Sequence, residues 1–110
     1  MMLLLIVFSS CEIKSANDYF IEANKCEDTG DYKGAILLLN KAIKIKPNLI
    51  KAYINRGADE SMLGNFDLAI QNYSAALKIS PRNNLALVSR GKNKGRLEII
   101  EEQSRTFNRL

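Results

Sequence analysis

The sequence contains no histidine and only two cysteines, Cys11 and Cys26. Without histidine, the commonest general base and metal ligand is missing. Two thiols cannot build a zinc cluster, and they allow at most one disulfide. The adjacent acidic pairs Glu27-Asp28, Asp59-Glu60 and Glu101-Glu102 make no catalytic dyads, because neighbours on a helix do not face each other. No catalytic residue, cofactor or metal site is therefore expected, and the chain reads as a non-enzyme. The apolar run Met1–Phe8 is far too short to span a bilayer, which takes about 20 residues. Nor is there a dominant charge: 16 basic against 12 acidic residues leave a net +4.

What is present fits one folded domain. The chain has 110 residues, 46% of them hydrophobic and 25% charged, an ordinary charged fraction that argues against disorder. A chain of this size buries only roughly 60–65% of its unfolded surface, so its stability is marginal. The basic excess lies at the C-terminus. Residues 16–49 hold five basic and five acidic residues, 50–83 hold four and three, and 84–110 hold six and three.

The most structured stretch runs from Leu63 to Pro81. Gly64 breaks the preceding segment, and Asn65 is placed to cap the free amides of a new helix. Phe66, Ala69, Ile70, Tyr73, Ala76 and Leu77 fall three and four apart and build one apolar stripe. Pro81 stops the helix, because the residue before proline is pushed out of helical geometry. The same stretch occurs 34 residues earlier: Gly30 matches Gly64, Tyr32 matches Phe66, Ala35 matches Ala69, Leu39 matches Tyr73, Ala42 matches Ala76 and Pro47 matches Pro81. Upstream, Tyr19 matches Tyr53 and the small Ala23 matches Gly57. A period of 34 with small residues at fixed offsets denotes a repeated helix–turn–helix unit.

On these residues the chain resembles the tetratricopeptide repeat proteins. The resemblance implies an all-α fold, a short right-handed solenoid of helix–turn–helix repeats with a C-terminal capping helix. One repeat spans 16–49 and a second 50–83, with helices expected over Asn17–Asp28, Tyr32–Ile45, Leu49–Leu63 and from Phe66 onward. Asn48 is the expected cap of the third. The aromatics Tyr19, Tyr32, Tyr53, Phe66 and Tyr73 are read as packing residues, not ligand contacts.

Residues 84–110 begin like a third repeat, with Arg90-Gly91 lying 34 residues after Arg56-Gly57 and Leu87 in the place of Tyr53. The pattern then degrades. Glu98 stands where the turn glycine belongs and Gln103 where the buried alanine belongs, while Ile100 and Phe107 keep the two aromatic places. Leu97, Ile100, Ser104 and Phe107 form a helical stripe. The segment reads as a capping helix or a degenerate third repeat, in one long helix or two short ones, since repeat arrays need an end that covers the last apolar face.

At the other end, Met1–Phe8 has the size of a secretory-signal core, roughly 7–15 residues, and ends in Ser9-Ser10-Cys11. This resembles a bacterial lipoprotein signal over 1–10, with Cys11 as the lipidated residue and 11–15 as a tether. No lysine or arginine precedes the run. The alternative is an uncleaved apolar start on a cytoplasmic module.

In the repeat family, the first helix of each repeat lines a concave groove that holds an extended peptide or a partner helix. Carried over, the candidate lining is Asn17, Phe20, Asn24, Glu27, Lys51, Ile54, Asn55, Ala58 and Met62, extended by Leu85, Val88 and Lys92. Asn24 and Asn55 match two asparagines of the clamp by which chaperone-binding members hold a C-terminal carboxylate. Phe20, Leu85 and Ser89 occupy the places of its cations, which argues against that specificity. Arg90, Lys92, Lys94 and Arg96 concentrate charge, but no aromatic is interleaved, which argues against nucleic acid; a solvated helix surface is the simpler account. The resemblance implies a protein or peptide partner, at a membrane through the anchor, with self-association through the incomplete third repeat as the other reading.

Overall fold

In the computed structural model, the described residues are 13–109, and they form five α-helices with no strand among them. These are α1 (Ala16–Asp28), α2 (Tyr32–Ile45), α3 (Ile50–Met62), α4 (Phe66–Ile79) and α5 (Asn84–Arg109). Consecutive helices pack on one another, and α5 also touches α3. This is a helical repeat solenoid. The expected signal over 1–10 and Cys11 lie outside the described residues.

The helix starts show which sequence signals act. Ser15 opens α1 with a capping box: the Asp18 amide donates to its Oγ at 3.1 Å, and its own amide donates to Asp18 Oδ2 at 2.8 Å. The Ser15 amide and then the Ser15 hydroxyl, both donating to Asp18 Oδ2, hold that exposed carboxyl below its ordinary pKa. Asp31 caps α2 by accepting from the Gly34 amide at 3.0 Å. At the equivalent place before α4, Asn65 makes no cap bond, contrary to expectation; its Nδ2 donates to Glu60 Oε2 at 2.9 Å instead. Nor does Asn48 cap α3. The N-cap there is Leu49, which makes no side-chain cap bond and is held by its burial in the core.

One tight turn joins the two helices of each repeat. Gly30 (φ 77°) and Gly64 (φ 83°) both adopt the left-handed region, which costs a non-glycine residue roughly 1–2 kcal/mol. The chain reverses direction at each.

The core is built largely of alanine. Ala23, Ala35, Ala42, Ala52, Ala69, Ala76 and Ala86 are fully buried, while Leu39 is the largest side chain buried to the same degree. Small residues let the helix axes approach closely, so stability rests on many short contacts rather than on a few large apolar anchors. One cluster joins Ala23, Ala35, Leu39, Ala42 and Ala52; a second joins Ala69, Tyr73, Ala76, Leu77 and Ala86. Ala52 and Ala86 stitch each repeat to the next. The repeat aromatics Tyr19 and Tyr53 are half-buried against these clusters, and Tyr32 and Phe66 are half-buried as well. Pro47 and Pro81 are exposed at the exits, and the Pro47 carbonyl accepts the Tyr53 hydroxyl at 2.7 Å.

The segment from Asn84 is one 26-residue helix rather than two short ones. Its first half covers the second repeat through Ala86 and Asn93, both buried. Its second half projects. Of the stripe read from the sequence, only Leu97 is half-buried, while Ile100 and Phe107 are 47% and 76% exposed. The reason lies at Glu98, which holds the place of Gly30 and Gly64. Every described non-glycine residue keeps negative φ, so no left-handed turn forms there and the helix runs on.

Candidate functional site

The groove read from the sequence lies along α1, α3 and α5, and its lining falls into three groups. At one end, Lys51 Nζ on α3 donates to Asn17 Oδ1 on α1 at 2.9 Å and sits 4.3 Å from the centre of the Phe20 ring. This lysine thus spans two repeats.

In the middle, Asn55 Nδ2 donates to Asn24 Oδ1 at 3.1 Å and to the Glu27 carboxylate at 3.3 Å. Below them lies Asp59, 2% exposed, with Oδ2 enclosed and no hydrogen-bond donor beside it. Burial first, then the nearby Glu27 carboxylate, pushes its pKa up to about 8. The Asp59 carboxyl on α3 is thus set close to the Glu27 carboxyl on α1, a pair of acids from different helices. Sequence reading considered only the adjacent pair Asp59-Glu60 and missed this one. Ile54 turns partly inward and packs on the second core cluster.

At the far end, α3 and α5 enclose a recess of about 210 Å³ lined by Ala58, Ser61, Met62, Tyr73, Ser89, Lys92, Asn93 and Arg96. Ala58, Met62 and Lys92 were expected there, and Met62 is 62% exposed at its mouth. Ser61, Tyr73, Asn93 and Arg96 were not read as lining. Burial raises the Tyr73 phenol, and the Ser89 hydroxyl beside it partly offsets this. Asn93 Oδ1 is buried without a donor, in the same repeat position as Asp59.

The basic cluster on α5 does not form one patch. Arg90 turns inward to Ser74 at 3.4 Å, and Arg96 reaches Ser61 at 3.5 Å and lies over the Phe66 ring. Lys92 and Lys94 remain exposed. Away from the groove, Arg56 joins the repeats, donating to Asn72 Oδ1 at 2.6 Å and Asn40 Oδ1 at 2.9 Å. Cys26 is a half-buried free thiol beside the first core cluster. Among the described residues, no group of three or more acidic or cysteine side chains could hold a metal ion, and no helix is long and apolar enough to cross a membrane.

Tetratricopeptide repeat models match residues 19–49 and 50–83. The chain belongs to the tetratricopeptide repeat family. Tetratricopeptide repeat protein 16 of Mus musculus is 35% identical over 91 residues, covering 83% of this chain and 12% of that one. Small glutamine-rich tetratricopeptide repeat-containing protein 2 of Saccharomyces cerevisiae is 35% identical over 66 residues, covering 60% and 19%. The chain thus spans a small part of the curated relatives it matches. Among solved structures, MamA superimposes with a TM-score of 0.75 at 26% identity, covering 86% of this chain and 51% of MamA. The second tetratricopeptide domain of human RPAP3, in complex with the HSP70 peptide SGPTIEEVD, gives 0.70 at 25% identity, covering 73% and 67%. Proteins of this family are in general non-enzymatic scaffolds and adaptors, and the RPAP3 domain is solved with a bound peptide.

Proposed function

We propose that this tetratricopeptide repeat chain is an adaptor that holds an extended peptide or a helix of a partner protein in the groove along α1, α3 and α5. The observation that carries this reading is the recess between α3 and α5. It combines an exposed methionine, the exposed Lys92 ammonium and an unpaired buried amide oxygen in one concavity on the groove face. A flexible thioether with fixed polar groups around it suits a peptide side chain. A shallow groove of stacked helices suits binding, not chemistry that must exclude water.

The direct test is selection from a displayed peptide library. Binders should lose affinity on Met62→Asp and on Lys92→Glu, and keep it on Gln71→Glu, which changes the opposite face. Binders insensitive to the groove changes would defeat the reading.

The chain is further proposed to act at a bacterial cell envelope, anchored by lipid on Cys11. The support is the sequence alone: an apolar run ending in Ser9-Ser10-Cys11. The intact mass of native protein from a bacterial membrane fraction tests it. A species starting at Cys11 with acyl mass supports the anchor; a soluble species retaining Met1 would make this a cytoplasmic module.

A further inference from the structure

In each repeat, a small residue on the first helix is followed sixteen positions later by a large one on the second. Ala23 and Leu39 share the first core cluster. Gly57 receives Tyr73 so closely that a Cβ there would lie 3.0 Å from the tyrosine ring. The third instance is Gly91 and Phe107, and it is open at both ends. A Cβ on Gly91 would meet nothing within 4 Å, and Phe107 is 76% exposed. Receiving slot and aromatic knob exist on one chain. The unbroken helix through Glu98 holds them about 24 Å apart at 1.5 Å per residue.

We infer that the exposed second half of α5 seats in the open slot of a second copy of this chain, Phe107 against Gly91, completing that copy's third repeat in trans. Charge favours the match. Residues 84–96, which carry the slot, have four basic and no acidic side chains; residues 97–109, which carry the knob, have three acidic and two basic. Helix geometry fixes the kind of assembly. Sixteen residues at 3.6 per turn place Gly91 and Phe107 roughly 160° apart around α5. One straight partner helix cannot cover both, so the pairing is head-to-tail and leaves a free slot at one end and a free knob at the other. Gln103, in the place of the buried Ala69, fits the third repeat poorly; Gly95, which also has nothing within 4 Å, leaves room for it.

The test is sedimentation velocity of the full chain across micromolar concentrations. The wild type is expected to grow beyond dimer as concentration rises from a 12.4 kDa monomer. Phe107→Ser removes the knob and Gly91→Leu fills the slot, and each variant alone is expected to lose that growth. Mixed in equal amounts they should form a one-to-one complex and stop there, because one retains the slot and the other the knob. Both changes lie where the structure is open, so the fold has no clash to absorb, and circular dichroism verifies it. A wild type that stays monomeric, whether α5 is bare or covered by the chain's own Met1–Phe8, overturns the inference. So does association that survives both variants, or a mixture that fails to form the pair.

Discussion

A Cβ on Gly57 would lie 3.0 Å from Cε1 and Cζ of Tyr73 and 3.2 Å from the Cβ of Asn72. The second repeat thus closes around the absence of a side chain. The ring body cannot swing aside as the end of a lysine could, because Tyr73 is 3% exposed. Gly57→Val is therefore expected to destabilise the fold by about 1–3 kcal/mol through overpacking, despite the better helix propensity of the new residue. Gly91→Ala, at the equivalent but open position, is expected to stabilise by up to about 1 kcal/mol. Urea unfolding of the two variants reads both signs, and equal effects at the two glycines would contradict this account.

Arg56 ties three helices together through Asn40 and Asn72. Asn72 is buried, and its Nδ2 is already committed to the Leu68 carbonyl at 2.9 Å. Removing the guanidinium leaves its Oδ1 enclosed without a donor. Arg56→Met should cost about 1–3 kcal/mol, the range for a buried polar group left unpaired. Adding Asn72→Leu should recover part of the loss, a coupling that a double-mutant cycle measures directly. Strict additivity of the two changes would show that the bond contributes little.

The repeat frame was legible because it depends on residue size at fixed spacing. Alanine and glycine at the close approaches, glycine at the left-handed turns and proline at the exits leave few alternatives. What sequence did not show depends on three-dimensional partners. Asp59 looked like half of an adjacent acidic pair, and only the approach of α1 to α3 sets it against Glu27. Asn65 and Asn48 have the chemistry of caps, but a nearby acceptor on Glu60 and the buried anchor Leu49 determine what those positions do. The tail could be read as one helix or two because the missing glycine at 98 and the surviving stripe argue in opposite directions. The cost of the left-handed turn decides it.

A peptide ending in a free carboxylate, such as TIEEVD from the RPAP3 complex, is expected to bind this groove no more tightly than its C-terminal amide. Phe20, Leu85 and Ser89 supply no cation where the resembling clamp has them. Asn55 has turned its amide donors toward Asn24 and Glu27, and Lys51 is engaged by Asn17. A carboxylate entering there would meet the Glu27 charge. Fluorescence anisotropy with the acid and amide forms compares them, and a tenfold preference for the acid, about 1.4 kcal/mol, would contradict this reading of the groove.

Stability should fall as pH rises, and Asp59 is the cause. Its carboxyl has an ordinary pKa near 3.9 in the unfolded chain, and it is pushed up to about 8 in the fold by burial and by Glu27. Below the lower value both states are protonated, and the group has no effect. Between the two values the folded state keeps a proton that the unfolded state has released, so each rise in pH favours unfolding. Above about 8 the folded state must hold an ionised Asp59 against Glu27, and the full penalty applies. Asp59→Asn keeps the size and shape of the side chain and removes the titration. It is expected to flatten the decline and to stabilise the protein at alkaline pH by roughly 3–6 kcal/mol, each unit of pKa difference being about 1.4 kcal/mol. Urea midpoints taken across this window for wild type and variant separate this cause from the other acids. If the two profiles run parallel, the Asp59–Glu27 contact does not set the pH dependence.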